Sequence, residues 1–114
     1  ARPVADVPLE TWAAWRSDPD FRPPGGETLR ELGARVRSGL EDLISEASDR
    51  RIVVVCHVSP IKAAIAWALG VGDDATWRMW VGPASISKIG VRAGDPSLRL
   101  FNRTDHLDCL TGDV

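Results

Sequence analysis

Two residues in the sequence stand out for their chemistry. His57 follows the apolar, β-branched run Ile52-Val53-Val54-Val55-Cys56, and Lys62 follows His57 by five residues, with Val58-Ser59-Pro60-Ile61 between. A strand that ends in an imidazole and turns at once into a helix places that imidazole beside unpaired backbone N–H groups and a partial positive charge. Such a place suits an anion, and an imidazole there can donate a hydrogen bond or shuttle a proton. From position alone, a structural hydrogen bond for His57 is as compatible with the pattern as a functional role. Lys62 falls in the first turn of that helix, where the macrodipole disfavours a cation. A bound anion would compensate, and an exposed lysine tolerating a small cost is the plainer alternative. Ser59 suits an N-cap and Pro60 the position after it. Glu27 stands after Gly25-Gly26 at the start of another helix, where the dipole favours a carboxylate and the tight loop could aim it into a cleft. His106, between Asp105 and Leu107, reads as structural or surface. The two histidines are too far apart in sequence to suggest a metal site, and the cysteines have no zinc spacing.

The elements that must position these residues follow from periodicity and punctuation. Residues 1–7 show no period. A short helix is expected over residues 8–16, with Leu9, Trp12 and Ala13 on one face; its tryptophans read as packing residues, with ligand stacking as the lesser alternative. Ser17 to Gly26 is a Pro- and Gly-rich loop, either a connector or a cover over a site. Thr28-Leu29-Arg30-Glu31 reads as a capping box. It opens a helix of about 20 residues, judged by apolar spacing at Leu29, Leu32, Val36, Leu40, Leu43, Ile44 and Ala47. Its charged residues, Arg37 among them, suit a solvated face, and close packing on a neighbour would account for Gly33 and Gly39.

Ile52–Cys56 is apolar on both faces, as in a buried parallel strand, so Cys56 reads as a buried thiol. The helix after it ends at Gly70, a natural C′ residue. Asp73-Asp74 can cap a short helix that Gly82-Pro83 breaks. Ser85–Val91 and Leu98–Asn102 read as an antiparallel pair across Ala93-Gly94-Asp95-Pro96, with Lys88 spoiling the alternation. The tail from Arg103 has no readable period.

Composition bounds the rest. The 114 residues fit one small domain, with 44% hydrophobic and 26% charged residues and a net charge of −2. No long basic run suggests nucleic-acid contact, and no apolar run approaches a membrane span. Two cysteines, Cys56 and Cys109, form no disulfide framework, which points to a reducing, cytoplasmic setting. The chain lacks an initiating Met, and its strong strand arrives only at residue 52, so upstream sequence is expected.

In this order, Pro23-Pro24-Gly25-Gly26-Glu27-Thr28, Val53-Val54-Val55-Cys56-His57, Ser59-Pro60-Ile61-Lys62 and Asn102-Arg103-Thr104-Asp105-His106-Leu107 resemble the second half of the histidine phosphatase superfamily, the phosphoglycerate mutase-like proteins. His-Val-Ser-Pro-Ile-Lys is most similar to acid phosphatase and alpha-ribazole phosphatase-like members. The resemblance implies an α/β three-layer sandwich with a mostly parallel sheet, of which residues 1–114 are the C-terminal portion of a single domain. It implies metal-independent phosphomonoester hydrolysis through a phosphohistidine, without a cofactor. His57 would be the catalytic second histidine. Val58, Ser59, Lys62 and Glu27 would lie on the substrate or phosphate side, while Leu29 stands where some members carry a substrate-contacting Tyr.

The implied partner is a phosphorylated small molecule, with no membrane or direct nucleic-acid contact. The family's nucleophile, in an Arg-His-Gly motif, has no match in this sequence, so this polypeptide alone is expected to be inactive. An upstream segment or second chain is expected to complete the sheet beside Ile52–Cys56. Mutase-type phosphoryl transfer and a non-catalytic interaction module are the alternatives.

Overall fold

The computed structural model describes residues 3–47 and 49–108. Three α-helices precede a β-hairpin: α1, Leu9–Ser17; α2, Leu29–Glu46; α3, Val58–Leu69; β1, Ile86–Arg92; and β2, Asp95–Arg103. Single 3-10 turns occupy Val4–Asp6, Asp73–Arg78 and Asp105–Leu107. Helix α2, expected to end near Ser48-Asp49, ends at Glu46; Ser48 itself and Cys109 lie outside the described residues.

The helix ends form as their residues dictate. Thr28 Oγ1 accepts a hydrogen bond from the Glu31 N–H at 3.0 Å, the forward half of the capping box. The reciprocal half is not made, because the Glu31 carboxylate pairs with Arg22 instead. That ion pair, with the 3.1 Å bond from Arg22 Nη1 to the Gly26 carbonyl, ties the Pro/Gly loop to the start of α2. Gly70 closes α3 at φ 70°, and its N–H and that of Val71 return to the last turn, as in a Schellman stop. Helix α3 begins one residue after His57, so Ser59 and Pro60 sit within the first turn rather than at N-cap and N1. Proline is tolerated there because the first four helical N–H groups have no intrahelical partner.

The core is small and centred on α3. Ala63, Ile65 and Ala66 are buried, Ile65 to 2% exposure, together with Leu32 of α2 and Val81. Helix α3 contacts α2, both hairpin strands and the Asp73–Arg78 turn. Aromatic rings fill the space toward α1: Trp12 stacks on Trp15 at 5.5 Å, and Trp15 meets Trp77 edge-on at 5.8 Å and Phe21 at 6.2 Å. Arg37 departs from the solvated face expected of it and bonds Asp73 across 2.9 Å. Gly33 makes room for this pair, since a Cβ there would collide with the Asp73 carboxylate. Gly39 has no neighbour within 4 Å of such a Cβ, so packing does not account for it.

The hairpin is antiparallel, with Arg92 opposite Asp95 across a two-residue turn. Ala93 and Gly94 both have positive φ, 51° and 82°, which matches the right-handed strand twist. The register shifts between Ile86 and Ile89, around Lys88, where the apolar alternation fails.

Two expectations require correction. No strand forms over Ile52–Cys56: residues 50–57 carry no regular secondary structure and make no sheet pairing among the described residues. A strand is defined by ladder bonds to a neighbour, and no described segment lies alongside to provide them. The valines are consequently bare, Val53 at 87% and Val55 at 92% exposure, and Cys56 is exposed rather than a buried thiol. The sheet among the described residues is the antiparallel β1–β2 pair.

Candidate functional site

His57 ends this extended segment and is the N-cap of α3, with φ −110° and ψ 173°. Its carbonyl accepts the Ile61 N–H at 3.1 Å, which begins the helix. Its imidazole makes no capping bond, so the backbone positions the ring while leaving it exposed. Val58 and Ser59 follow with backbone N–H groups in the first helical turn, where the helix dipole is most positive.

Ser59 and Lys62 extend from this turn to line a cleft of about 70 Å³. Its other walls are Trp15 of α1, Leu29 of α2, and Thr76 and Trp77 of the 3-10 turn. Lys62 is half-buried and forms no ion pair among the described residues. The structure thus brings Ser59 and Lys62 together, with His57 and Val58 immediately before them at the helix head.

Glu27 is engaged elsewhere. Its Oε1 accepts from Arg35 Nη2 at 2.7 Å on the surface of α2, and this hydrogen bond holds its carboxyl below the ordinary carboxylate range. Glu27 does not line the cleft. His106 has a structural contact, its Nε2 donating to the Ala84 carbonyl at 2.9 Å, in agreement with the role read from the sequence. Among the described residues, no group of three or more His, Cys, Asp or Glu side chains could hold a metal ion.

Sequence reasoning missed Trp15, Thr76 and Trp77 as walls of the cleft. Five tryptophans in 114 residues are the available signal, but spacing alone does not show that residues 62 apart meet.

The head of α3 therefore presents an exposed histidine, a hydroxyl and a lysine that forms no ion pair among the described residues. Comparison with known proteins gives this arrangement a family. Residues 3–104 match the model of the histidine phosphatase superfamily (branch 1), and the chain belongs to this superfamily.

A bifunctional protein of Mycobacterium tuberculosis is 36% identical over 105 residues, which cover 91% of this chain and 29% of that protein. Among solved structures, a mutant phosphoserine phosphatase of Entamoeba histolytica in complex with phosphoserine superposes with a TM-score of 0.77 at 25% identity. It covers 90% of this chain and 53% of that one. The alpha-ribazole phosphatase of Shigella flexneri shares the fold, with a TM-score of 0.68, 24% identity, and coverage of 82% and 47%. The chain therefore spans less than a third of the mycobacterial relative and about half of each solved enzyme.

Proposed function

We propose that the protein to which this chain belongs hydrolyses phosphomonoesters without a metal, and that His57 stabilises the transferring phosphoryl group. The observation that carries the reading is the exposed imidazole of His57 at the N-cap of α3, in a chain matched to the superfamily over residues 3–104. A histidine upstream of this chain attacks phosphorus. The P–N bond forms as the ester P–O bond breaks, and the leaving oxygen takes a proton from a carboxylic acid also outside this chain. Water then attacks phosphorus as the P–N bond breaks, passing a proton to the carboxylate left by the first step, so that inorganic phosphate is released and both histidine and carboxylic acid are restored.

His57 acts in both steps as a preorganised donor to the phosphoryl oxygens. The N–H groups of Val58 and Ser59 and the ammonium of Lys62 add positive potential on the same side. Glu27 acts on the substrate side from outside the cleft described, with its carboxylate paired to Arg35. The complete domain is a three-layer α/β sandwich in which Ile52–Cys56 is a strand of a mostly parallel sheet, flanked by upstream sequence or a second chain. The protein works in the cytoplasm, and residues 1–114 alone do not turn over.

The test is a p-nitrophenyl phosphate assay in chelator, run on this chain and on the protein at its full natural length. Turnover is expected only from the longer protein. His57→Ala should lower its kcat/KM by about 10²–10³, the usual cost of removing one oxyanion donor. Near-wild-type activity of His57→Ala in a folded protein would remove His57 from the site.

A further inference from the structure

The cleft beside His57 has a composition that selects among phosphate esters. Its walls are two indoles, the Leu29 side chain and Thr76. Thr76 is buried, and its hydroxyl already donates to the Asp73 carbonyl at 2.9 Å, so that hydrogen is not available to a ligand. The other polar groups of the lining, Ser59 and Lys62, both come from the head of α3. Among the described residues that line the cleft there is no carboxylate. The Trp77 Nε1–H is buried and has no hydrogen-bond partner among the described residues. A polar hydroxyl-rich ligand would meet apolar walls over most of its surface, at the cost of unpaired hydrogen-bonding groups.

Size narrows the choice further. A volume of about 70 Å³ is roughly half that of the 150 Å³ apolar cavity known to take benzene. It takes the edge of one ring or a short branched chain, and its open side leaves the rest of a ligand outside.

We infer that this cleft is the leaving-group subsite, and that it selects phosphate monoesters of small apolar or aromatic alcohols over those of polyols and amino acids. The inference rests on the phosphatase reading of His57. Lys62 faces the phosphoryl end, and Trp15, Leu29 and Trp77 take the alcohol. Discrimination of this kind has a known scale, because small differences in apolar contact within a pocket change kcat/KM by about 10- to 200-fold.

The experiment compares phenyl phosphate, glycerol 2-phosphate and phosphoserine as substrates of the full-length protein. Phenol is the better leaving group in any site, so the subsite is read from the part of phenyl phosphate's lead in kcat/KM that the Leu29 variants lose, about tenfold or more. Leu29→Asn makes the wall polar and Leu29→Trp fills the cleft. Each should raise KM for phenyl phosphate and shrink its lead, with kcat retained and the circular dichroism of the parent preserved. Lys62→Ala should instead raise KM on all three esters alike. Equal kcat/KM for the three esters, or a lead untouched by both Leu29 variants, overturns the assignment.

Should the full-length protein hydrolyse none of them, the phosphatase reading fails and the cleft is judged by tryptophan fluorescence. Quenching by phenyl phosphate but not by glycerol 2-phosphate, weakened in Leu29→Asn, supports an apolar subsite; absence of quenching overturns it.

Discussion

Alanine at Gly33 and alanine at Gly39 should move stability in opposite directions, although both glycines lie in α2. Alanine is better than glycine in a helix interior by about 1 kcal/mol, because it loses less backbone entropy on folding. At Gly39 a new Cβ meets nothing within 4 Å, so that gain should appear nearly whole. At Gly33 the new Cβ collides with the Asp73 carboxylate and lies 3.0 Å from Arg37 Nη1. The Asp73 side chain is only 13% exposed and is held by Arg37 at 2.9 Å, so it yields only by breaking that pair.

Overpacking of this kind costs typically 1–3 kcal/mol. Set against the helix gain, the net loss at Gly33 is about 0–2 kcal/mol, and the two variants should differ by ~1–3 kcal/mol. Urea unfolding of each variant reads this difference as a shift in midpoint at constant slope. Adding Asp73→Ala to both should erase most of it, since the clashing group is then gone. If Gly33→Ala proves as stable as Gly39→Ala in the Asp73 background, the close approach of α2 to the Asp73–Arg78 turn is wrong.

Other outcomes follow from the same contacts. Asn102 has φ 53°, and its Oδ1 accepts the Gly82 N–H at 2.8 Å; Asn102→Ala should cost about 1–3 kcal/mol in urea unfolding. Asn102→Gly should recover the backbone part of that loss while the hydrogen bond stays missing, and equal stability of the two variants would refute a role for the left-handed backbone. Ile65→Ala, at a side chain only 2% exposed, should destabilise by about 2–5 kcal/mol in the same assay. Arg35 lowers the Glu27 carboxyl pKa and Arg103 that of Asp105, chiefly by hydrogen bonding. A lowered folded-state pKa gives stability that is present above the unfolded value and lost as pH falls through the folded one. A small decline in stability is therefore expected on acidification through and below the ordinary carboxylate range. Both pairs are solvent-exposed, so Arg35→Gln should remove part of this decline at low salt and none at high salt.

The elements with local causes were legible in the sequence. The Thr28 cap, the Gly70 stop and the hairpin each depend on a few neighbouring residues, and each formed, although the turn is Ala93-Gly94 alone and Asp95 and Pro96 belong to β2. Even the break in alternation at Lys88 marked a real shift of register. Ile52–Cys56 was misread because apolar composition states a preference for burial, whereas ladder bonds require a partner that composition does not supply. The grouping of His57, Ser59 and Lys62 at the head of α3 was legible from their spacing. The cleft walls were not, because Trp15, Leu29 and Trp77 converge through packing of three separate elements.

The bare valine run has a consequence for alignment. Strand register is normally fixed because a one-residue slip turns apolar side chains to the wrong face. From Ile52 to Cys56 both faces are apolar, so a slip against any neighbouring strand would expose no polar group to the core. The anchor that remains is at the C-terminal end, where the His57 carbonyl starts α3 and α3 is clamped by buried Ala63, Ile65 and Ala66. Helix α3 thus acts as the ruler for the segment before it. A residue deleted between His57 and Ile65 would displace the imidazole relative to any partner strand, whereas a valine lost upstream would shorten the run and leave His57 in place.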